Sequence, residues 1–388
     1  MPISGIEARR VLARLAAGQP PPPRWAADLL VGYDALLRQW KADLEGYIFG
    51  GGSLIRIVAA PVGSGKTHLA RALQAHAAGN GFLVCQIDAQ VQHTDDDLAL
   101  YGAFCGGLRH PSTLMSNAEE CGLLSVLLRA ANQITGSGLR ASLRRDKLPI
   151  ATLGDALASL VDEVRLVSAR RGSLDREKWD EIVALVELIS GQPVMGTRSL
   201  AKIRRYYRSP ILRRLSRTPG KRDARLWLES LLLAMRSLGF KGVLVVLDEH
   251  DTLTSGVLDR HIVQLRRTLD KLTEGHLPGV FTVYFVLDNF SARVAESHIA
   301  LEQRLKPLLD GHVPNRLLTQ MEEVRDVHDE EFLLTLGDRL FELVGNCPMP
   351  ADLRQCCRTY AKESIRLGRV DTREFVMRLA SEMLNRMD

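Results

Sequence analysis

The sequence lacks the features that mark membrane-spanning, secreted and repeat proteins. Its longest apolar runs, such as 243–247, are far shorter than the roughly 20 residues that cross a bilayer as a helix. Arg9, Arg10 and Arg14 interrupt the apolar residues near the N-terminus, so no secretory h-region is predicted. No internal repeat is visible. These absences predict a cytoplasmic protein without a membrane segment.

Cysteine is scarce and shows no pairing pattern. The six cysteines have neither C-x-x-C spacing nor the density of a disulfide-stapled domain. We therefore predict reduced thiols, as in a cytoplasmic protein. They are Cys85, Cys105, Cys121, Cys347, Cys356 and Cys357.

The composition is that of an ordinary globular protein, with 25% charged and 46% hydrophobic residues in 388. The net charge of +5 is unevenly placed. Residues 201–225 contain ten Lys and Arg but one acidic residue, a local charge of +9, so the remaining residues sum to −4. The basic character therefore belongs to one segment.

Residues 54–70 predict a buried strand, a glycine turn and the start of a helix. This order directs backbone N–H groups and a helix N-terminus at one point, which suits the phosphates of a nucleotide. Lys66 would reach the β- and γ-phosphates, and Thr67 would hold Mg²⁺. Ala60 stands where the first glycine of a P-loop is usual, and a chance turn is the alternative. The predicted nucleotide-binding residues are Pro61, Val62, Gly63, Ser64, Gly65, Lys66, Thr67 and His68.

A second apolar run, 243–247, ends in the carboxylates Asp248 and Glu249. Strand ends of a parallel sheet face one crevice, so we expect this pair near the P-loop. Asp248 would then hold Mg²⁺ through water, and Glu249 would orient and deprotonate the attacking water. The pair favours ATP hydrolysis over small-molecule phosphorylation, because no acceptor pocket is legible. The alternative is an ordinary polar turn after a strand.

Four further residues are candidates for contact with the γ-phosphate. Asn289 follows the predicted strand 280–287, where ATPases of this layout carry a polar residue that touches the γ-phosphate or the water. Arg304, or Arg293, would supply charge to a neighbouring subunit's phosphate as an arginine finger. Arg354 begins a helix that would reach the nucleotide from above. For each arginine, a solvated helix residue is the alternative.

The basic segment 201–225 also contains Tyr206 and Tyr207, and Trp227 follows close by. Guanidinium groups with nearby aromatic rings suit a nucleic-acid backbone and unstacked bases. The segment also fits a docking face for an acidic protein, or a solvated helix face. The residues predicted to contact DNA are Arg204, Arg205, Arg208, Arg213, Arg214, Arg217, Lys221 and Arg222.

The order of patterns predicts an α/β protein with a P-loop NTPase core of the AAA type and a mostly parallel sheet. Residues 1–50 form an N-terminal helical segment, and 51–318 form the core. A helical insertion occupies about 92–238, since six helical patterns separate the second and third predicted strands. Residues 319–388 are predicted to form a C-terminal helical lid, because no hairpin of a winged helix is visible there.

Several segments resemble the P-loop ATP-binding proteins of the BREX phage-resistance systems, of the BrxD type. They are the helix at 8–18 with its proline-rich end, the box Val31-Gly32-Tyr33-Asp34, the loop 56–68, Leu100-Tyr101, 108–113, 174–176, and 238–242 before the acidic strand. Ala60, His250 and 287–289 depart from the family pattern. The resemblance implies an AAA-type ATPase in antiviral defence beside a helicase-like protein. It also implies that Val31 and Gly32 lie next to the adenine.

Two other functions remain open. One is a nucleotide-gated module that holds ATP as a switch while the basic segment binds DNA or a protein. The other is an AAA ATPase similar to replication initiators or transposition regulators, although these normally carry a DNA-binding domain after the lid. The sequence leaves open whether the protein is a monomer or a homo-oligomer.

Overall fold

The computed structural model describes most of the chain. The described residues are 5–61, 63–88, 96–115, 120–133, 143, 148–169, 176–194, 200–207, 212–248, 277–287, 319–323, 329–345, 348–366 and 372–387. The predicted site residues Val62, Arg208, Glu249, Asn289, Arg293 and Arg304 lie outside them.

Six strands within the described residues form one sheet. They are β1 (Ser53–Ala59), β2 (Leu83–Asp88), β3 (Leu108–Arg109), β4 (Val243–Asp248), β5 (Val280–Val286) and β6 (Thr319–Glu323). The sheet order is β3-β2-β4-β5-β1-β6, and every pair is parallel except β2 with β3. The predicted mixed α/β class with a mostly parallel sheet is therefore confirmed.

The helices flank this sheet and extend the chain at both ends. They are α1 (Gly5–Ala16), α2 (Pro23–Ala26), α3 (Asp34–Asp43), α4 (Lys66–Gly79), α5 (Asp97–Gly107), α6 (Pro111–Met115), α7 (Leu123–Gln133), α8 (Ala151–Ala169), α9 (Arg176–Ile189), α10 (Leu200–Tyr207), α11 (Ala224–Ser237), α12 (Glu330–Gly345), α13 (Ala351–Arg366) and α14 (Thr372–Asn385). A π-helical turn, Leu44–Ile48, continues α3. None of the helices in the described part is both long enough and apolar enough to cross a membrane.

Both faces of the sheet are covered, which explains the unbroken apolar runs of its central strands. Every residue of strands β1, β4 and β5 is buried. Alternate side chains point to opposite faces. Ile55 and Ile57 pack with the helices inserted between β2 and β4, whereas Leu54 and Val58 pack with α3 and α4. The insertion therefore forms the cover of one face.

An ion pair that involves a buried arginine fixes α3 on the second face. Arg56 lies in the middle of β1 with 2% of its side chain exposed, and its guanidinium donates to the carboxylate of Asp43 at 2.9 Å. Trp40, one turn earlier on α3, packs edge-on against Phe281 of β5, with 6.1 Å between ring centroids. Burial of a charge is tolerated only when it is paired, so this contact sets the position of α3.

The N-terminal segment is shared between two parts of the fold. Val11 and Leu12 of α1 are buried in a separate core with Leu333 of α12 and Leu379 of α14. The segment from α3 to the π-helical turn belongs instead to the sheet. Residues 5–16 therefore pack with the C-terminal helices, an arrangement that their amphipathic pattern does not specify.

Two short strands differ from the sequence prediction. Thr319–Glu323, which we predicted as the start of the helical lid, is strand β6 and pairs with β1. The described C-terminal helices begin after it, at Glu330. Its sequence TQMEE has no apolar alternation, because an edge strand is not enclosed on both sides. Leu108–Arg109 similarly adds a two-residue antiparallel strand inside the predicted helical insertion.

Candidate functional site

The glycine turn after β1 adopts the backbone that its sequence predicts. Gly63 and Gly65 have φ of +86° and +92°, a region that side-chain-bearing residues rarely adopt. Gly65 is the N-cap of α4, so the turn leads directly into a helix N-terminus. Ala60 does not disturb this geometry, because its N–H donates to the carbonyl of Val286 at 3.1 Å and extends the pairing of β1 with β5.

Lys66 is held inside the turn. Its ammonium donates to the carbonyl of Ala60 at 2.6 Å and to that of Pro61 at 3.0 Å. A cation at the first residue of α4 places positive charge beside the helix N-terminus, which adds to the positive end of the helix dipole. The turn is therefore an electropositive position with backbone donors.

The acidic strand end meets this turn. The hydroxyl of Thr67 donates to a carboxylate oxygen of Asp248 at 3.0 Å, although 181 positions separate them in sequence. Asp248 is the last residue of β4 and is buried. Strand β5 lies between β1 and β4, a separation of two strand spacings or about 10 Å. The first turn of α4 bridges this distance, so the two predicted metal-binding side chains lie together.

A basic side chain accompanies the Thr67–Asp248 pair. Arg71 lies one helical turn after Thr67 and is mostly buried. Burial, together with the charges of Arg14 and Arg109, lowers the pKa of Arg71 to about 10, against the opposing effect of Asp248. Arg71 therefore remains protonated at neutral pH and contributes positive charge near the carboxylate. The sequence reasoning missed it, and its position at i+4 from Thr67 was the available signal.

His68 makes a structural contact. Its Nε2 lies 2.7 Å from the carbonyl of Ala26, so the neutral ring donates to the end of α2. Burial lowers the pKa of His68 to about 4, against the opposing effect of the Ala26 carbonyl. The ring is therefore neutral at pH 7. Its described contact holds α2 to α4, and its role in nucleotide binding stays a prediction.

The pKa of His68 predicts a pH-dependent stability. Between pH 6.5 and 4 the unfolded chain binds a proton at this residue and the folded chain does not, so the free energy of unfolding falls as the pH decreases. The expected loss is about 2 to 3 kcal/mol at pH 4.5. His68→Gln keeps an N–H donor but removes the titration, so its loss from pH 7.5 to 4.5 should be smaller by that amount. Urea unfolding at both pH values measures it, and equal losses in the two proteins would contradict the prediction.

The box at 31–34 lies between the glycine turn and the C-terminal helices. Gly32 has φ of +81°, and a Cβ on it would stand 3.5 Å from the ring of Phe332 on α12. Val31 packs in the core that α1 shares with the C-terminal helices. The hydroxyl of Tyr33 donates to the carbonyl of Ser64 at 2.7 Å. The predicted adenine neighbours Val31 and Gly32 thus contact the C-terminal helices, and the next residue, Tyr33, contacts the glycine turn.

Arg354 is paired within the C-terminal helices. Its guanidinium forms an ion pair with Asp338 of α12. This pair joins the beginning of α13 to α12, which is a structural contact. Its predicted reach toward a nucleotide stays a prediction.

The basic segment divides into structural and exposed residues. Arg204 donates from its guanidinium to the carbonyls of Leu212 and Leu215, the first at 3.0 Å. These donors hold residues 212–215 to α10, and the predicted contact of Arg204 with DNA stays a prediction. The side chains of the remaining described residues of the predicted set are exposed: Arg205, Arg213, Arg214, Arg217, Lys221 and Arg222.

Acidic neighbours offset part of the local charge. Lys221 lies 3.0 Å from Asp96, Arg217 lies 3.5 Å from Asp223, and Arg225 lies 3.0 Å from Asp97. On α10, burial raises the pKa of Tyr207, and acidic side chains of α9 raise it further. Surface ion pairs are weak and are readily exchanged for other partners. The exposed arginines therefore form a basic surface with partial compensation.

The fold and site define a class of protein. It is a mixed α/β protein in which a glycine-rich turn joins a strand of a mostly parallel sheet to a helix, with a carboxylate from another strand at the helix start. Residues 3–118 match the family model of the BREX system ATP-binding protein BrxC/D. This match confirms the resemblance to a BREX ATP-binding protein over those residues. No curated protein matches the chain.

Proposed function

We propose that this protein is a Mg²⁺-dependent AAA-type ATPase that acts in a DNA-associated antiviral complex of the BREX type. The observation that carries the proposal is the 3.0 Å contact between Thr67 and Asp248, one on the glycine turn's helix and the other at the end of the acidic strand. The family description supports ATP binding and the BREX setting. ATP hydrolysis, Mg²⁺ binding and association with DNA are proposed from the residues of this chain.

The donor set fits ATP with Mg²⁺. Lys66 and the N–H groups of the glycine turn would bind the phosphates. The Thr67 hydroxyl and the Asp248 carboxylate supply the oxygen ligands that Mg²⁺ prefers, with water completing its coordination. Within the described residues no cluster of three or more His, Cys, Asp or Glu forms a metal site. A site built on one carboxylate, one hydroxyl and phosphate oxygens requires no such cluster.

The remaining roles fall to residues beyond this pair. Glu249 follows Asp248 directly and would orient the attacking water and accept its proton. Thr67 and Asp248 would hold Mg²⁺, which would supply charge neutralisation at the phosphates. Asn289 would contact the γ-phosphate or the water. Arg304 from a neighbouring subunit, and Arg354 from the lid helices, would add positive charge, which makes a homo-oligomer part of the proposal.

The test of hydrolysis is phosphate release by wild type and Glu249→Gln. The variant keeps the size of the side chain but removes the base. We therefore expect it to bind ATP with a Kd close to that of wild type, while turnover falls about a hundredfold, within the range for general-base catalysis. Binding is measured by calorimetry with Mg²⁺ present.

The same measurements separate the ATPase from the nucleotide-gated switch. Tight ATP binding by wild type with negligible phosphate release, even with DNA and partner proteins, would favour the switch. Equal turnover by wild type and Glu249→Gln would end the proposed role of Glu249. Absence of ATP binding by wild type would end the proposal altogether.

We propose further that the exposed basic surface binds DNA. It combines exposed arginines on 205–222 with Tyr206, whose side chain is 66% exposed. Tyr206 packs edge-on against Tyr207 with ring centroids 4.9 Å apart. Lys and Arg contacts to phosphate release counterions, and an exposed ring offers a stacking surface for an unpaired base. An acidic protein, such as another component of the defence system or a helicase, is the alternative partner.

Replacing Arg213, Arg214 and Arg222 together by Ala should weaken DNA binding uniformly across sequences. If each contacts a phosphate, the slope of log K against log salt should become less steep by about 2 to 3. Fluorescence anisotropy with a labelled oligonucleotide over a range of salt concentrations measures this slope.

A second triple variant controls for lost charge alone. It carries Ala at exposed arginines on other parts of the surface, Arg38, Arg165 and Arg378. We expect its salt slope to equal that of wild type. Equal slopes in both triple variants would contradict DNA binding by the basic surface and favour the protein partner.

A further inference from the structure

Tyr33 makes a contact with the phosphate loop that no sequence motif assigns. Its side chain is 6% exposed, and its hydroxyl donates to the backbone carbonyl of Ser64 at 2.7 Å. Its ring also lies against Gly65, since a Cβ on that residue would stand 3.6 Å from the ring edge. Tyr33 therefore contacts the residues on both sides of one peptide bond.

The geometry of that peptide bond links the contact of Tyr33 to the direction of the Gly65 N–H. In a trans peptide unit the carbonyl and the following N–H point in opposite directions, and no cis bond occurs in the described residues. Binding of the Ser64 carbonyl by Tyr33 therefore directs the Gly65 N–H away from the tyrosine. Gly65 has φ of +92°, where glycine leaves the peptide free to reorient. Tyr33 restrains that freedom.

Tyr33 is itself held in place by the C-terminal helices. The guanidinium of Arg339 on α12 donates to the carbonyl of Leu30, and it lies 3.5 Å from the carboxylate of Asp34. These contacts stand on either side of Tyr33 in sequence. A side chain that positions a site must have its own support, and this anchoring supplies it.

We propose that Tyr33 is a positioning residue for the phosphates of the nucleotide. It orients the Ser64–Gly65 peptide so that the Gly65 N–H is presented to phosphate before the nucleotide arrives. The inference rests on the proposed ATP binding at this loop, and it goes beyond that proposal because it assigns a specific backbone donor and the side chain that sets it.

The test compares Tyr33→Phe with Tyr101→Phe. Tyr101 is a matched control, because its buried hydroxyl donates to the carbonyl of Ile189 at 2.8 Å, within the helical insertion. Each variant loses one buried O–H that bonds a backbone carbonyl, so we expect similar decreases in the midpoint of urea unfolding. Only Tyr33→Phe should weaken ATP binding, with Kd raised about tenfold.

A spectroscopic measurement separates positioning from a structural role. In protein labelled with ¹⁵N-glycine, ADP should move the Gly65 amide proton downfield in wild type and in Tyr101→Phe, and should move it less in Tyr33→Phe. The wild-type shift is informative even if the Tyr33 variant does not fold, since its absence would overturn the inference.

The outcomes distinguish this inference from the proposed function. If wild type binds ATP and both variants bind it as tightly as wild type, the inference is wrong and the proposed function stands. If both variants weaken ATP binding equally, the effect belongs to general stability and the inference is wrong. If wild type binds no ATP, the proposed function fails and this inference fails with it.

Discussion

Lys66→Ala is expected to lower ATP turnover by at least about a hundredfold, the effect of removing one strong donor from developing negative charge. Lys66 is the first residue of α4, and its ammonium already lies inside the glycine turn, on the carbonyls of Ala60 and Pro61. No second Lys or Arg occurs between Ala60 and Ala70, so the turn itself carries no replacement cation. ATP affinity should fall as well, because phosphate binding precedes hydrolysis. Calorimetry and phosphate release measure the two effects separately.

Lys241→Ala is the control for Lys66→Ala. Lys241 is exposed and precedes β4, and its ammonium lies 5.2 Å from the centre of the Phe49 ring. The Lys241→Ala variant loses the same positive charge as Lys66→Ala but leaves the glycine turn unchanged. Turnover by this variant should match that of wild type. If Lys66→Ala also hydrolyses ATP at the wild-type rate, the assignment of the glycine turn to phosphate binding is wrong.

Asp248→Asn should weaken the binding of Mg²⁺ at the site and lower ATP turnover. The amide keeps an oxygen that accepts the hydrogen bond from Thr67, so the strand end and the helix remain joined, but the negative charge that attracts the cation is lost. We expect the Mg²⁺ concentration for half-maximal turnover to rise at least about tenfold, and kcat to fall about a hundredfold. Titration of phosphate release with Mg²⁺ at saturating ATP measures both quantities.

Asp88→Asn is a matched control for the Asp248 variant. Asp88 ends β2, the neighbouring strand, and it stands directly beside Asp248 in the strand register. The Asp88→Asn variant loses a carboxylate from the same edge of the sheet, but Asp88 is not the partner of Thr67. Its Mg²⁺ dependence should resemble that of wild type. If the two variants show the same Mg²⁺ dependence, the metal is held by general negative charge at this edge and not by Asp248.

Much of the fold could be predicted from local patterns. The strands that became β1, β4 and β5 were predicted within one or two residues, because their apolar runs are short and are bounded by glycine or acidic residues. The helical character of the insertion and of the C-terminal part was also predicted, since the amphipathic periodicity there is clear. Strand β6 was missed, because a five-residue edge strand with the sequence TQMEE carries no such periodicity.

The candidate site could be predicted only in part. Gly63, Gly65, Lys66 and Thr67 follow from a pattern in consecutive residues, and each has a backbone or side-chain geometry that suits the pattern. The contact of Tyr33 with Ser64 joins residues 31 positions apart. No periodicity encodes such a pairing, because it depends on how the segment before α3 crosses the start of α4. The structural roles of His68 and Arg204 were missed for the same reason.

The sequence alone determined the glycine turn after β1, the acidic strand end and the mixed α/β class, because each depends on neighbouring residues and their backbone preferences. Tertiary structure alone decided that Tyr33 meets Ser64, that α1 packs with the C-terminal helices, and which arginines of the basic segment are exposed. Contacts between distant segments are selected by the burial of whole faces and by the order of strands in the sheet. The buried faces and the strand order are properties of the folded chain, and no short stretch of sequence specifies them.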